Sequence, residues 1–532
     1  MTQPVLAGAL WHTWHSQRRL MLAVLPGLAL TMLHSAMLDL PRADLVAALD
    51  SDRYRIQWII GAYILGSATG MALTRFLGSR LGLRNAYLLA LALFTVGSTA
   101  CAGVTEVIEM TPFRVVQGFG TGLLISTGMV MLWRAFPKRR ELAMVLYGLS
   151  VYLPALAGVP LGGWLQTWLS WRAIFLVNLP LGIGIGLGAW YLLPSESPVQ
   201  RVPVALDWLG LGLLLLGIIT LSVVMDLGQY WGWLSSPFFV PWLAVLLLSL
   251  AAFIAWGVWS RAPLINLRVL GTPHFALGLG IKVLFSINLY VLSSLLSGYM
   301  IQMRGYQWYQ GSLVVLPALA TMLLGVLAGV LVGTDHNRRL RMATGLTLMT
   351  VATAFLSLVD VYTARGWQAA HFALWGFGAG LVIGPALLTT FEGLTDEETL
   401  RTAGVFNILR TLPVFFVGSL LATLLTQQTD AHFDTLRQTI QYNRPMVMET
   451  DRGAERYFTQ RGSSLLRARP QTHALLGQWV KLNARAFALQ YVLRWLAVVP
   501  AAGLILVWFV RVDHSIADQE SGPMLAPEPL HT

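Results

Sequence analysis

The chain has 532 residues, of which 56% are hydrophobic and 11% charged; a soluble domain carries about 25% charged residues. No water-soluble globule of this length could hide so much apolar surface, so the bilayer is the solvent that makes the composition reasonable. The formal net charge of +11 is not read as a nucleic-acid footprint, because no DNA- or RNA-reading motif accompanies it and the cytoplasmic loops of membrane proteins are basic.

The N-terminal stretch ends in Arg18 and Arg19, and an apolar run follows over 20–40. A signal-peptide core is shorter, about 7–15 residues, so this run is read as an uncleaved first span. Further runs near the ~20 residues that a bilayer requires lie at 56–76, 86–104, 111–132, 142–165, 173–193, 206–225 and 238–259. The second half supplies 275–300, 312–333, 342–361, 368–391, 402–425 and 488–510, for about fourteen spans by the length rule. The single cysteine, Cys101, sits inside the third run. It can form neither an intramolecular disulfide nor a cysteine metal cluster, and reads as a small packing residue.

An even count puts both termini on one side, and charge chooses the side. Arg75, Arg80 and Arg84 follow span two, and Arg134, Lys138, Arg139 and Arg140 follow span four. Arg261 and Arg268 follow span eight, and Arg338, Arg339 and Arg341 follow span ten. All share a side with Arg18 and Arg19, so the positive-inside rule expects both termini in the cytoplasm. Two segments fit less well: 392–401 is acidic on the expected cytoplasmic side, and Arg42, Arg53 and Arg55 lie outside among Asp44, Asp50 and Asp52. Between the last two spans lie polar residues 426–485, far beyond the roughly 2–8 residues that usually join helices. His432, Leu436 and Ile440 fall four apart, and Leu475, Trp479 and Leu482 share a face, so two helical pieces are expected there.

Ionisable groups inside spans are costly and so are functional candidates. Asp39 closes the first span, Arg114 and Gln117 lie three apart on one face of the fourth, Lys282 is inside the ninth and Arg410 inside the thirteenth. Lys282 is only about two turns into its span, so its ammonium can snorkel to the cytoplasmic surface. Gly376, Gly378 and Gly380 read as a close-packing helix face. His34 and His371 stand isolated with no H-E-x-x-H, so an intramembrane enzyme is not expected, and the lack of a G-x-x-x-x-G-K-[ST] loop argues against ATP-driven transport within the chain.

Four stretches resemble a known family. Arg114-Val-Val-Gln117-Gly118-Phe119-Gly120 is similar to the R-x-x-Q-G-x-G signature on the fourth helix of major facilitator superfamily transporters. Gly158 with Gly162 and Gly163 resembles the antiporter motif of the fifth helix, with Pro160 one place later than in the usual G-P-x-x-G-G. Ser170-Trp171-Arg172 through Phe175, Asn178 and Pro180 matches the S-W-R-x-x-F-x-x-N-x-P that opens the sixth, and Leu206-Asp207-Trp208-Leu209-Gly210 resembles the start of the seventh helix in fourteen-span members. In order and spacing these resemble the fourteen-span drug:proton antiporters. Two other family patterns are thinned: only Leu38-Asp39 survives of the first-helix motif, and Ser79 to Arg84 lacks the acidic residue usual after helix two. His432 to Leu436 and Ala484-Arg-Ala486-Phe487 resemble the loop ends of the EmrB type, whose members work with a periplasmic adaptor.

The resemblance implies an all-α integral membrane protein with two six-helix bundles, at 1–200 and 261–532, two additional linker helices at 201–260, and a long periplasmic loop at about 426–485. It implies proton-coupled export of hydrophobic or amphipathic compounds across the bacterial inner membrane, with no cofactor beyond the proton gradient. Asp39 would be the proton-binding carboxylate, Arg114 would be a fixed charge in the cavity that either pairs with Asp39 or lowers a substrate-linked pKa, Gln117 would share its face, and Lys282 and Arg410 would belong to the second half. The implied partners are a membrane-fusion adaptor and, through it, an outer-membrane channel. A stand-alone exporter of a siderophore or metabolite with the same fold is the alternative.

Overall fold

The computed structural model describes residues 14–38, 42–52, 55–194, 204–231, 236–260, 263–332, 337–439, 445–461 and 464–510. All regular structure in them is helical. The first part of the chain contributes α1 (Trp14–Met37), a short α2 (Arg42–Ala48), α3 (Arg55–Ala72), α4 (Thr74–Leu81), α5 (Leu83–Gly103), α6 (Val107–Ala135), α7 (Arg140–Trp168), a short α8 (Trp171–Leu176) and α9 (Asn178–Leu192). Then come α10 (Trp208–Trp231) and α11 (Phe239–Trp259), packed on each other. The remainder contributes α12 (Pro273–Arg304), the short α13 (Trp308–Ser312), α14 (Leu316–Val332), α15 (Arg338–Leu356), α16 (Arg365–Phe391), α17 (Asp396–Thr439), α18 (Pro445–Gln460) and α19 (Leu465–Trp508).

Among the described residues, twelve helices are long and apolar enough to cross a membrane. A thirteenth span is α3 with α4, bent by 53°. At the break Thr74 Oγ1 donates back to the Gly70 carbonyl at 3.0 Å, a contact that bends helices. α15, whose first turn carries Arg338, Arg339 and Arg341, is not among these candidate spans, although its body packs between α16 and α19. The fourteen runs expected from the sequence all fall on helices, twelve or thirteen of which meet the length and apolarity of a span. α11 keeps most of its side chains outside the protein, with Leu248 70% and Leu247 57% exposed, the surface of a helix solvated by lipid.

The small residues read as a packing face behave so. Gly376 and Gly380 of α16 lie on the Ala318 and Met322 carbonyls of α14, where an added Cβ would come to 2.4 and 2.3 Å of backbone oxygen. α3 and α6 interlock in the same way, with Gly118 on the Tyr63 carbonyl and Gly122 on that of Ser67. Asp207 sets the start of α10: its carboxylate accepts from the Gly210 N–H, the Trp256 Nε1–H and the Leu264 N–H, each at 2.9 Å. It caps one helix and ties it to α11.

The described residues of the 426–485 segment are mostly helical, as expected, but largely as extensions of the flanking spans rather than a separate insert. α17 and α19 are each 44 residues long, about 66 Å at ~1.5 Å per residue. The hydrocarbon core is about 30 Å thick, so both helices run well past it, packed on each other and topped by α18. The acidic segment that disturbed the charge rule is also accounted for. Glu392 pairs with Arg338 at 2.7 Å, Asp396 faces Arg140 at 3.7 Å, and Glu397 pairs with Arg401. Acids there neutralise the basic residues of the same end.

Candidate functional site

Backbone-close packing of α6 on α3 and α5 is what brings Arg114 and Gln117 inward. Gly120 rests on the Ala90 carbonyl of α5 while Gly118 rests on α3, so the face carrying the two polar residues turns toward α1. Arg114 is buried; its Nη1 donates to Gln117 Oε1 at 2.7 Å and its Nε to the Ile59 carbonyl at 3.3 Å. The two residues expected to share a helix face are thus bonded directly to each other. The guanidinium also lies 4.2 Å from the centre of the Tyr63 ring. The expected partner Asp39 falls outside the described residues.

His34 is not isolated. Its Nε2 lies 2.8 Å from Gln117 Nε2 and 3.4 Å from Arg114 Nη1, and its Nδ1 lies 2.8 Å from Asn178 Nδ2. Asn178, from the sixth-helix motif, also donates to Ser98 Oγ at 2.9 Å, and Phe175 of the same motif packs edge-on to the imidazole. An amide nitrogen thus faces each ring nitrogen, that of Gln117 at Nε2 and that of Asn178 at Nδ1, and a neutral imidazole accepts at one nitrogen and donates at the other.

A second cluster joins three helices. Lys282 of α12 is fully buried and does not snorkel to the surface. Its Nζ lies 4.3 Å from the centre of the Tyr152 ring of α7 and 4.2 Å from that of Phe285, without a hydrogen-bond partner. The distance to a span's end did not settle its fate, because neighbouring helices cover it. Arg410 of α17 donates through Nη1 to Tyr152 Oη at 3.3 Å and through Nη2 to Asn407 Oδ1 at 3.4 Å, and its Nε is unpaired. Tyr147 donates to the same Asn407 oxygen at 2.8 Å. Among the described residues no carboxylate pairs with Lys282, Arg410 or Arg114.

Between these clusters lies a cavity of about 350 Å³, walled by α1, α3, α6, α12 and α17. Arg410 borders it directly; Arg114, Gln117 and Lys282 do not. Tyr63 forms the partition, with its hydroxyl 2.6 Å from Ser35 Oγ and donating to Thr121 Oγ1 at 2.9 Å on the cavity side, while Arg114 stacks on its ring. Gly158, Gly162 and Gly163 of α7 sit beside this arrangement. Gly158 and Gly162 rest on the Leu33 and Met37 carbonyls of α1, and Gly163 on Trp308 of α13. Where α6 gives way to α7, the opposite end is cross-linked: Arg341 Nη1 meets Glu141 Oε1 at 2.7 Å, and Arg140 Nη1 donates to the Leu394 carbonyl at 3.2 Å. Tyr63, Tyr152 and Asn407 escaped the sequence reading because nothing local distinguishes them from ordinary core residues. His34 carried a signal, being an ionisable group inside a span.

Residues 20–418 match the model of the Major Facilitator Superfamily. The Haemophilus influenzae multidrug export protein EmrB is 24% identical over 85% of this chain and 88% of its own length. The Escherichia coli probable multidrug resistance protein EmrY is 26% identical over 75% and 78%. A solved bacterial homologue of the human lysosomal transporter Spinster, inward-facing and unoccupied, shares the fold with a TM-score of 0.55 at 14% identity, covering 93% of this chain and 97% of its own.

Proposed function

Because the chain belongs to the Major Facilitator Superfamily, we propose that it is a proton-driven exporter of hydrophobic or amphipathic compounds, set in a bacterial inner membrane with both termini in the cytoplasm. The observation that carries this reading is the central cavity, bounded by helices from both ends of the chain and lined by mixed apolar and hydroxyl groups. Such a site suits small molecules with an apolar body and a few polar atoms. The multidrug names of EmrB and EmrY support the same substrate range. Asp39 is the proposed proton carrier, with Arg114 and Gln117 as the fixed polar pair that serves it. Lys282 and Arg410 serve the half built from α12 to α19. The test is transport in proteoliposomes under a pH difference. Asp39→Asn cannot take up and release a proton, so uphill accumulation should stop while substrate binding survives; continued accumulation would remove Asp39 from the role.

The long α17–α19 hairpin supports a further part of the proposal, a tripartite assembly with a periplasmic adaptor and an outer-membrane channel. Helices reaching far past the lipid, with Tyr457, Trp479 and several arginines exposed or half-exposed, present residue types that dominate protein interfaces. Replacing 430–480 by a short Gly/Ser linker should abolish co-purification with a co-expressed adaptor and export to the medium, with membrane insertion intact. Unchanged pull-down and efflux would leave a stand-alone exporter.

A further inference from the structure

We infer that the cavity binds an amphipathic organic anion, with its acidic head against Arg410 and its apolar body along the cavity wall. This deepens the exporter reading and rests on it only for the fate of the bound molecule. The charge inventory is the starting point. Among the described residues that line the cavity, Arg410 is the only charged one. It is 3% exposed, yet its guanidinium is poorly satisfied: two long bonds run to neutral oxygens, and Nε–H has no acceptor. A buried cation without a counter-charge is costly. Fixed cations of this kind persist where something supplies the missing charge.

Lys282 doubles the imbalance. It lies on the ring of the same Tyr152 whose hydroxyl accepts from Arg410, and its Nζ, like the Arg410 Nε, has no hydrogen-bond acceptor. Both basic side chains therefore sit against one tyrosine, with no carboxylate among the described residues beside them. A cationic amphiphile entering the cavity would bring a further positive charge into a medium of low dielectric, where like charges repel strongly. A carboxylate instead offers planar acceptors to a guanidinium, the geometry that arginine binds best. The rest of the wall suits the tail of such a molecule: Met32, Ile64, Leu295, Val414 and Phe415 are apolar, and Tyr290 adds an amphipathic surface. The acidic head could belong to a free amphipathic acid or to an anionic lipid.

The test compares three ligands of equal chain length, decanoate, decanol and decylammonium. They are titrated by tryptophan fluorescence into the full-length protein in nanodiscs of zwitterionic lipid, with empty nanodiscs as the blank. The wild type should bind decanoate about ten- to a hundredfold more tightly than decanol, the range of a charge-assisted hydrogen bond, and decylammonium least. Arg410→Gln should remove the advantage of decanoate and leave decanol binding in place, while Arg410→Lys should keep part of it. Lys282→Gln should weaken decanoate binding by a smaller factor. The decanol arm separates loss of the anion contact from loss of the fold. Displacement of decanoate by added phosphatidylglycerol would support the anion site and identify lipid as the source, and its absence would support a free acid. Equal affinity for all three ligands, tighter binding of decylammonium, or decanoate binding untouched by Arg410→Gln would overturn the inference. Uphill export of decylammonium with no decanoate binding would keep the exporter and reject the anion site. Decanoate binding without transport under a pH difference would do the reverse.

Discussion

Glu141→Gln should loosen the cross-linked end of the bundle, where α6 gives way to α7. Glu141 Oε1 and Arg341 Nη1 are 2.7 Å apart and tie α7 to α15, with side chains 29% and 7% exposed. Arg341 also donates to the Gly329 carbonyl at 2.9 Å, so the substitution removes the acid from a cation that stays in place. A hydrogen bond to a charged group contributes about 1.5–3 kcal/mol, and the Glu141 carboxylate is shielded enough for that range to apply. If the pair forms only while this end is closed, its loss shifts the closed-to-open ratio about 10- to 150-fold. The assay is the alkylation rate of cysteines placed at the α6–α7 turn and at the start of α15, in a Cys101→Ser background. Rates should rise in Glu141→Gln and fall back in the exchanged pair Glu141→Arg with Arg341→Glu. Unchanged rates in the single variant, or no recovery in the exchanged pair, would refute the idea that this contact holds the end shut.

Orientation is testable with an impermeant thiol reagent on intact cells. Cysteines at the exposed positions Lys138 and Gly271 should be protected and one at Gln460 labelled; the opposite pattern inverts the topology. His34→Leu removes the shared partner of Gln117, Arg114 and Asn178, so the thermal midpoint should drop by an amount consistent with about 1–3 kcal/mol for each polar group left unpaired. An unchanged midpoint would mean that the network contributes nothing to stability.

The helices were legible in the sequence because the bilayer imposes one length on every span, and an apolar run of ~20 residues meets that length whatever its neighbours do. The run at 342–361 is also helical, as α15, although that helix, with three arginines in its first turn, is not among the candidate spans. The Arg114–Gln117 pair was legible for a similar reason: residues three apart on a helix share a face. The helical character of the segment beyond 426 was visible in its four-residue spacing. What could not be seen was that α17 runs from its span into this segment and α19 from the segment into its span without a break, since continuity there depends on the packing of the two helices on each other.

The remainder of the site was decided by tertiary structure alone. Lys282 and Arg410 meet at Tyr152, a residue of a third helix distant from both in the chain. Counting residues from the end of a span predicts a snorkelling lysine, because the count knows depth but not cover. α7 and α17 supply that cover and turn a lipid-edge lysine into a buried one. His34 likewise reads as solitary in the sequence, and only the close approach of α1, α6 and α9 gives it three polar partners. Spacing along one helix is set by local geometry and is written in the sequence. Which faces of different helices meet is set by how small residues let backbones approach, and that is a property of the whole packed bundle.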